Sequence, residues 1–139
     1  MTFVDTNVFL RALTRDDPVR ADATEAFIRK LADGSARATT SEIVIAEIVY
    51  ILSSSRWFQM PAPQVAALLE PLFSLTGLQI QGKERIKHAL DLYAAYPFLD
   101  FEDALIIVHL EQSGSDELMS YDRHFDRVPG VQRIEPSPL

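Results

Sequence analysis

Four acidic residues stand where a carboxylate could do chemistry: Asp5, Glu47, Asp103 and Asp122. Asp5 follows Thr2-Phe3-Val4, a short β-prone run, which places it at the carboxyl end of a strand. Ligands of open parallel sheets bind outside the carboxyl ends of the strands. Asp122 follows Leu118-Met119-Ser120-Tyr121 and is expected in the same layer. Asp103 lies three residues after Asp100, so both fall on one face of a helix's first turn. Glu47 is the only charged side chain in Ile43–Leu52, which reads IVIAEIVYIL. A helix apolar on all sides is a core helix. Glu47 is therefore expected to be buried, where an unpaired carboxylate costs roughly several kcal/mol. It needs a cation, either a metal or an arginine such as Arg11 or Arg56. Each of the others has a structural role open to it: Asp5, Asp100 and Asp122 as caps, and Asp103 at the positive end of a helix dipole.

Together the four acids are predicted to converge on one cation-binding pocket. Grouped carboxylates raise each other's pKa unless a cation is present. The chain has no cysteine and its three histidines, at 88, 109 and 124, are scattered. An oxygen-only ligand set favours Mg2+ or Mn2+ over zinc. Such a site suits phosphoryl chemistry, because the metal acidifies a bound water and offsets charge on the phosphate. His109 reads as structural and His88 as a solvated helix residue, while His124 stands near enough to Asp122 to touch a substrate. No glycine-rich phosphate loop occurs, which argues against a P-loop or Rossmann nucleotide site.

The elements that must hold these acids alternate between strand and helix. Asp17-Pro18 is a helix start, and Val19, Ala23, Phe27 and Leu31 repeat every four residues until Gly34. Residues 36–40 read as a second strand. Ser41 is the expected cap of the apolar helix that carries Glu47. Pro61 and Pro63 open a helix with Val65, Leu68, Leu69, Leu72 and Phe73 on one face, which Pro71 should kink or split. Residues 78–80 form a third short strand, followed by a helix from Gly82 to Ala95. Pro97 breaks that helix, and another runs from Asp100 to Gln112. Residues 117–120 and 131–134 are the last two strands. This alternation predicts one α/β domain over residues 1–139, with a small, mostly parallel sheet covered on both faces.

Composition sets the limits. At 139 residues the length suits one domain, and 47% hydrophobic residues supply a core. The absence of cysteine fits a reducing cytoplasm. The first residues lack the basic-then-apolar pattern of a signal peptide, and no uncharged apolar run reaches the length of about 18 residues that marks a membrane span. Net charge is −7, which lowers the expectation of a nucleic-acid partner. Four acids neutralised by divalent cations would leave the remaining surface free to be locally basic.

Four segments resemble, in order and spacing, the motifs of PIN-domain ribonucleases, and more narrowly of VapC-type toxins from type II toxin–antitoxin pairs. They are Phe3-Val4-Asp5-Thr6-Asn7-Val8, Ser41 to Glu47, Asp100 to Leu105, and Ser120-Tyr121-Asp122-Arg123-His124-Phe125. The resemblance implies a PIN-like three-layer α/β/α fold with about five parallel strands. It implies Mg2+- or Mn2+-dependent hydrolysis of RNA by a metal-activated water, a homodimer, and a small antitoxin partner. Carried over by position, Asp5, Glu47, Asp103 and Asp122 form the acidic quartet, with Asp5 and Asp103 most tied to the metal. Asn7, Ser41, Asp100 and Ser120 are the supporting polar positions. Ser120-Tyr121 stands where Thr-Phe is common, and a hydroxyl is kept. Arg11, Arg15, Arg56 and Arg123 are candidate phosphate contacts. Trp57 and Phe58 fall in a connection, where exposed aromatics would serve a dimer or antitoxin contact.

Two other readings compete. A non-catalytic module of the same fold could bind RNA or protein, although it need not keep four mutually repelling acids. A phosphatase or phosphoreceiver also places Asp after its first strand. The former wants a second Asp where Asn7 stands, and the latter wants a lysine late in the sheet, where Ser120-Tyr121-Asp122 supplies none.

Overall fold

The computed structural model describes residues 1–138. Strands are separated by pairs of helices until the last two: β1 (Thr2–Phe3), α1 (Thr6–Thr14), α2 (Pro18–Asp33), β2 (Ala38–Thr40), α3 (Glu42–Ser53), α4 (Ala62–Leu69), β3 (Leu78–Ile80), α5 (Lys83–Ala95), α6 (Phe101–Gln112), β4 (Glu117–Met119) and β5 (Gln132–Ile134). Two 3-10 turns, Glu70–Ser74 and Arg123–Arg127, complete the chain. The expected punctuation is present. Asp17 accepts from the Arg20 amide at 3.2 Å with Pro18 in the first turn, and Gly34 closes α2 in the left-handed region at φ 81°. Pro71 falls where α4 gives way to the first 3-10 turn.

One helix was not expected. No helix is expected between Asp5 and the start at Asp17, but Asp5 Oδ1 accepts from the Thr6 amide at 2.7 Å and starts α1, which buries Thr6, Phe9 and Leu10. Lacking a proline or glycine boundary, this nine-residue helix shows little of the punctuation that marks α2.

All strand pairings are parallel, but they form two ladders rather than one five-stranded sheet. The order β1-β2-β3 is in register at Thr2 with Ala38 and at Ala38 with Leu78, while β4 pairs with β5 through Glu117 and Gln132. Only two residues of β1 are extended, and Phe3 and Met119 are both more than half exposed. Two apolar clusters match the two ladders. The larger includes Phe9, Leu31, Ile45, Ile48, Leu52, Leu69 and Ile86, and the smaller joins Leu99, Ile107, Phe125 and Val128. Helix α6 feeds both, with Ala104, Leu105 and Val108 in the larger and Ile107 in the smaller. At the end of β1 the Thr40 hydroxyl donates to the Val4 carbonyl at 3.0 Å, fixing the backbone just before Asp5.

Glu42, in the first turn of α3, ties three helices together. It accepts from Arg85 of α5 at 2.8 Å and lies 3.3 Å from the His109 ring nitrogen of α6. Burial works against its charge, yet the bonds from Arg85 and His109 outweigh that and hold its carboxyl below the ordinary glutamate range. A depressed carboxyl pKa adds stability that is present above the unfolded value and lost as pH falls through the folded one. Glu42→Gln should therefore cost on the order of 1 kcal/mol at neutral pH, allowing for solvent screening. That deficit should close as the solution is acidified below the ordinary glutamate value. Urea unfolding across this range measures it, and a deficit independent of pH would exclude the ionic account. Gly77 is a second critical point. A Cβ there would lie 2.0 Å from the Ala36 carbonyl oxygen, where the chain approaches β2. Gly77→Ala should destabilise by about 3 kcal/mol in the same assay, as overpacking against backbone does.

Candidate active site

Each sequence-predicted acid is best followed from the element that presents it. Asp5 caps α1 directly beyond β1 and is exposed at the strand's carboxyl end. Asp100 caps α6, and its Oδ1 accepts from the Asp103 amide at 2.8 Å. Asp103 answers by accepting from the Asp100 amide at 3.2 Å, completing a reciprocal capping box. Asp122 follows β4 and begins the second 3-10 turn. The Ser120 hydroxyl accepts from the Asp122 amide at 3.0 Å, which shapes that turn. Three of the four acids thus leave the carboxyl ends of strands or the start of α6, as expected.

Glu47 departs from its expected place. It is exposed rather than buried, and shares the outer face of α3 with Ile43 and Tyr50, which are 74% and 62% exposed. The helix is apolar in sequence on all sides, but only Val44, Ile45, Ile48, Val49 and Leu52 enter the core. Its carboxylate therefore needs no partner, and the burial argument that set it apart does not hold. Ser41 precedes α3 without a side-chain capping bond. Asn7 is exposed in the first turn of α1.

Asp103 is the most perturbed acid of the set. Burial pushes its carboxyl above the ordinary aspartate range, and the charge of Asp100 adds to the effect, against the opposing pull of His124. His124 Nε2 lies 3.2 Å from Asp103 Oδ2. The pair is near but not aligned for a hydrogen bond, so Nε2 is a buried polar atom without a hydrogen-bond partner. The other such atom is Thr6 Oγ1, on the residue next to Asp5. Unpaired buried polar groups are costly, and among the described residues these two both flank acids of the candidate site. Among the described residues no three His, Asp or Glu side chains stand close enough together to hold a metal ion. The donor chemistry of Asp5 and Asp103 suits a hard cation; a full ligand cluster is not assembled.

The arginines divide. Arg11 donates to both oxygens of Asp16 at 3.0 Å, and Arg15 is held by Asp22 and Glu25. Both are thus committed to acids within the chain. The Arg56 guanidinium lies 5.7 Å from the centre of the Trp57 ring. Arg123 is exposed. Sequence reasoning missed Arg133. Its side chain is only 11% exposed, and it donates to the Ser120 carbonyl and to Asp126, both at 2.9 Å. It pins β5 to the turn that carries Asp122. Its signal was faint: one cation within a short strand.

The chain is similar along most of its length to known proteins. The VapC ribonuclease Mb1869c of Mycobacterium bovis is 25% identical over 134 residues, spanning 96% of this chain and 99% of that one. Ribonuclease VapC13 of Mycobacterium tuberculosis matches to the same extent. A solved structure of VapBC2 from Rickettsia felis bound to a DNA fragment from its promoter covers 98% of both chains at 17% identity. Its TM-score is 0.35. The PIN domain model matches residues 2–131, so the chain belongs to the PIN-domain family.

Proposed function

We propose that this chain is a metal-dependent endoribonuclease, the toxin of a toxin–antitoxin pair, hydrolysing RNA phosphodiesters. The observation that carries the reading is the end-to-end likeness to two VapC ribonucleases. The placement of Asp5 and Asp122 beyond strand ends, and of Asp103 in the first turn of α6, supports it. Asp5 and Asp103 would hold Mg2+ or Mn2+, with Asp122 and Glu47 completing the acidic set. A bound divalent ion supplies charge to offset the phosphate and to acidify an attacking water. The chain's own residues do the rest. Asp100 and the first turn of α6 orient Asp103, and the His124 ring stands beside it, with Nε2 3.2 Å from Oδ2. Ser120 and Arg133 fix the backbone that presents Asp122.

Cleavage of structured RNA should depend on added Mg2+ or Mn2+ and stop on chelation. Asp5→Asn and Asp103→Asn should each slow it by about two orders of magnitude or more. Asn is a good cap, so Asp5→Asn should keep α1. Asp103→Asn should melt no lower than the parent, because a buried charge beside Asp100 is relieved. Cleavage at the parent rate by either variant would sink the mechanism. If calorimetry gives no heat with either cation, the non-catalytic module becomes the better description.

The partners are proposed on the same footing: a small antitoxin and a second copy of the chain. The exposed Ile43 and Tyr50 of α3 offer an apolar face that a second copy would cover. Light scattering should give twice the chain mass for the parent and a single-chain mass for Ile43→Arg. A monomeric parent would refute the dimer.

A further inference from the structure

A cleft of about 280 Å3 opens between α1 and the turn that follows α3. Trp57, Phe58 and Ile51 line one side, and Asn7, Arg11 and Asp16 the other. We propose that this cleft receives one unpaired base of the RNA, stacked on Trp57 and Phe58; the proposal rests on the ribonuclease reading.

The turn is built to display these aromatics. Trp57 and Phe58 are 54% and 41% exposed. Around them the backbone is firmly held: the amides of Trp57 and Gln59 donate to the Ser54 carbonyl at 3.1 and 3.0 Å, and Met60 donates to Leu52 at 2.9 Å. The Gln59 side chain donates to the Ser55 carbonyl at 2.7 Å. Among the described residues, only two that are not glycine have left-handed backbone, Gln59 at φ 49° and Arg15 at φ 53°. Gln59 follows Phe58, and Arg15 sits between Thr14 and Asp16 on the opposite wall. At Arg15 this conformation ends α1, where the amide donates to the Arg11 carbonyl, and at Gln59 it turns the chain after Phe58, so both walls have fixed backbone.

The chemistry of the walls selects a base over other occupants. Arg11 and Asp16, the charged residues lining the cleft, answer each other across two 3.0 Å contacts, and the Arg56 guanidinium stands beside Trp57, 5.7 Å from its ring centre, outside that lining. The aromatic faces favour a flat ring, since every base has a π-face and stacks with little sequence preference. The Asn7 amide can donate to and accept from a base edge, and Asp16 can accept from an exocyclic amine. The volume lies just below the ~300–1,000 Å3 of ligand pockets, room for a ring rather than a helix. Asn7 also belongs to the turn that Asp5 caps, so the cleft adjoins the candidate active site. A base held there would position the neighbouring phosphodiester.

The chain has a single tryptophan, so its fluorescence reports Trp57 alone. The intact chain, with chelator present to block cleavage, is titrated with short single-stranded RNA homopolymers. Saturable quenching is expected. Trp57→Ala should weaken binding of labelled RNA by on the order of tenfold or more, and Trp57→Phe should restore most of it. In cleavage assays Trp57→Ala should raise KM while kcat stays within about twofold. The side chain is exposed, so an unchanged thermal melt checks the fold. Absence of quenching, with Asp5→Asn still abolishing cleavage, overturns the base cleft and leaves the ribonuclease standing. Quenching without any cleavage supports the cleft and overturns the nuclease. Unaltered RNA kinetics in Trp57→Ala together with a lower mass in light scattering would overturn the cleft and assign the turn to a protein contact.

Discussion

Helix α6 has to satisfy two apolar surfaces at once. Ala104, Leu105 and Val108 pack into the larger core, while Ile107 packs against Leu99, Phe125 and Val128 in the smaller. No backbone pairing joins β1 to β4, so side chains on this helix hold the two ladders to one another. A helix gripped on two sides has little freedom to slide or roll. Its first turn carries Asp100 and Asp103, so packing far from the site sets where these carboxylates stand. The bond from Glu42 to Arg85 and its approach to His109 add an ionic tie from α3 to α5 and α6 at the other end.

Charge is arranged with similar economy. The net charge of −7 suggests a molecule that repels RNA, but many of its acids are locally answered. Arg11 faces Asp16, Arg15 faces Asp22 and Glu25, and Arg133 faces Asp126 and Glu135. Asp5, Glu47 and Asp122 have no such ion pair among the described residues. Under the proposed function, affinity for a polyanion would come through bound cations and stacking rather than through a basic surface.

Much of this was readable from residue types. The Asp17-Pro18 start, the Gly34 stop, the break at Pro71 and the Asp100 cap each rest on local backbone chemistry, and each stands where the residues place it. Tertiary exposure was not readable. The run around Glu47 is apolar by composition, yet one face of α3 is left uncovered, and no single-chain pattern reveals which face lacks a neighbour. Helix α1 was overlooked because it lacks glycine or proline punctuation and starts from an Asp equally suited to a turn. The split of the sheet also escaped notice: a two-residue strand announces its presence but not its partners. Arg133 matters through contacts with residues 120 and 126, a relation fixed only when β5 folds back.

The reciprocal cap at α6 has a thermodynamic corollary. Asp103 spends its carboxylate on the Asp100 amide, and Asp100 spends its own on the Asp103 amide. A ligand that claims the Asp103 oxygen now facing that amide must take it from the helix end. Occupancy of the site and the integrity of the first turn of α6 then draw on one shared group. Affinity would be lowered by the work of loosening that turn, and any change elsewhere that frays it would be felt as tighter binding. For a ligand held through that oxygen, the helix end would act as a rheostat, with the rigidity of the first turn setting how strongly the site holds it.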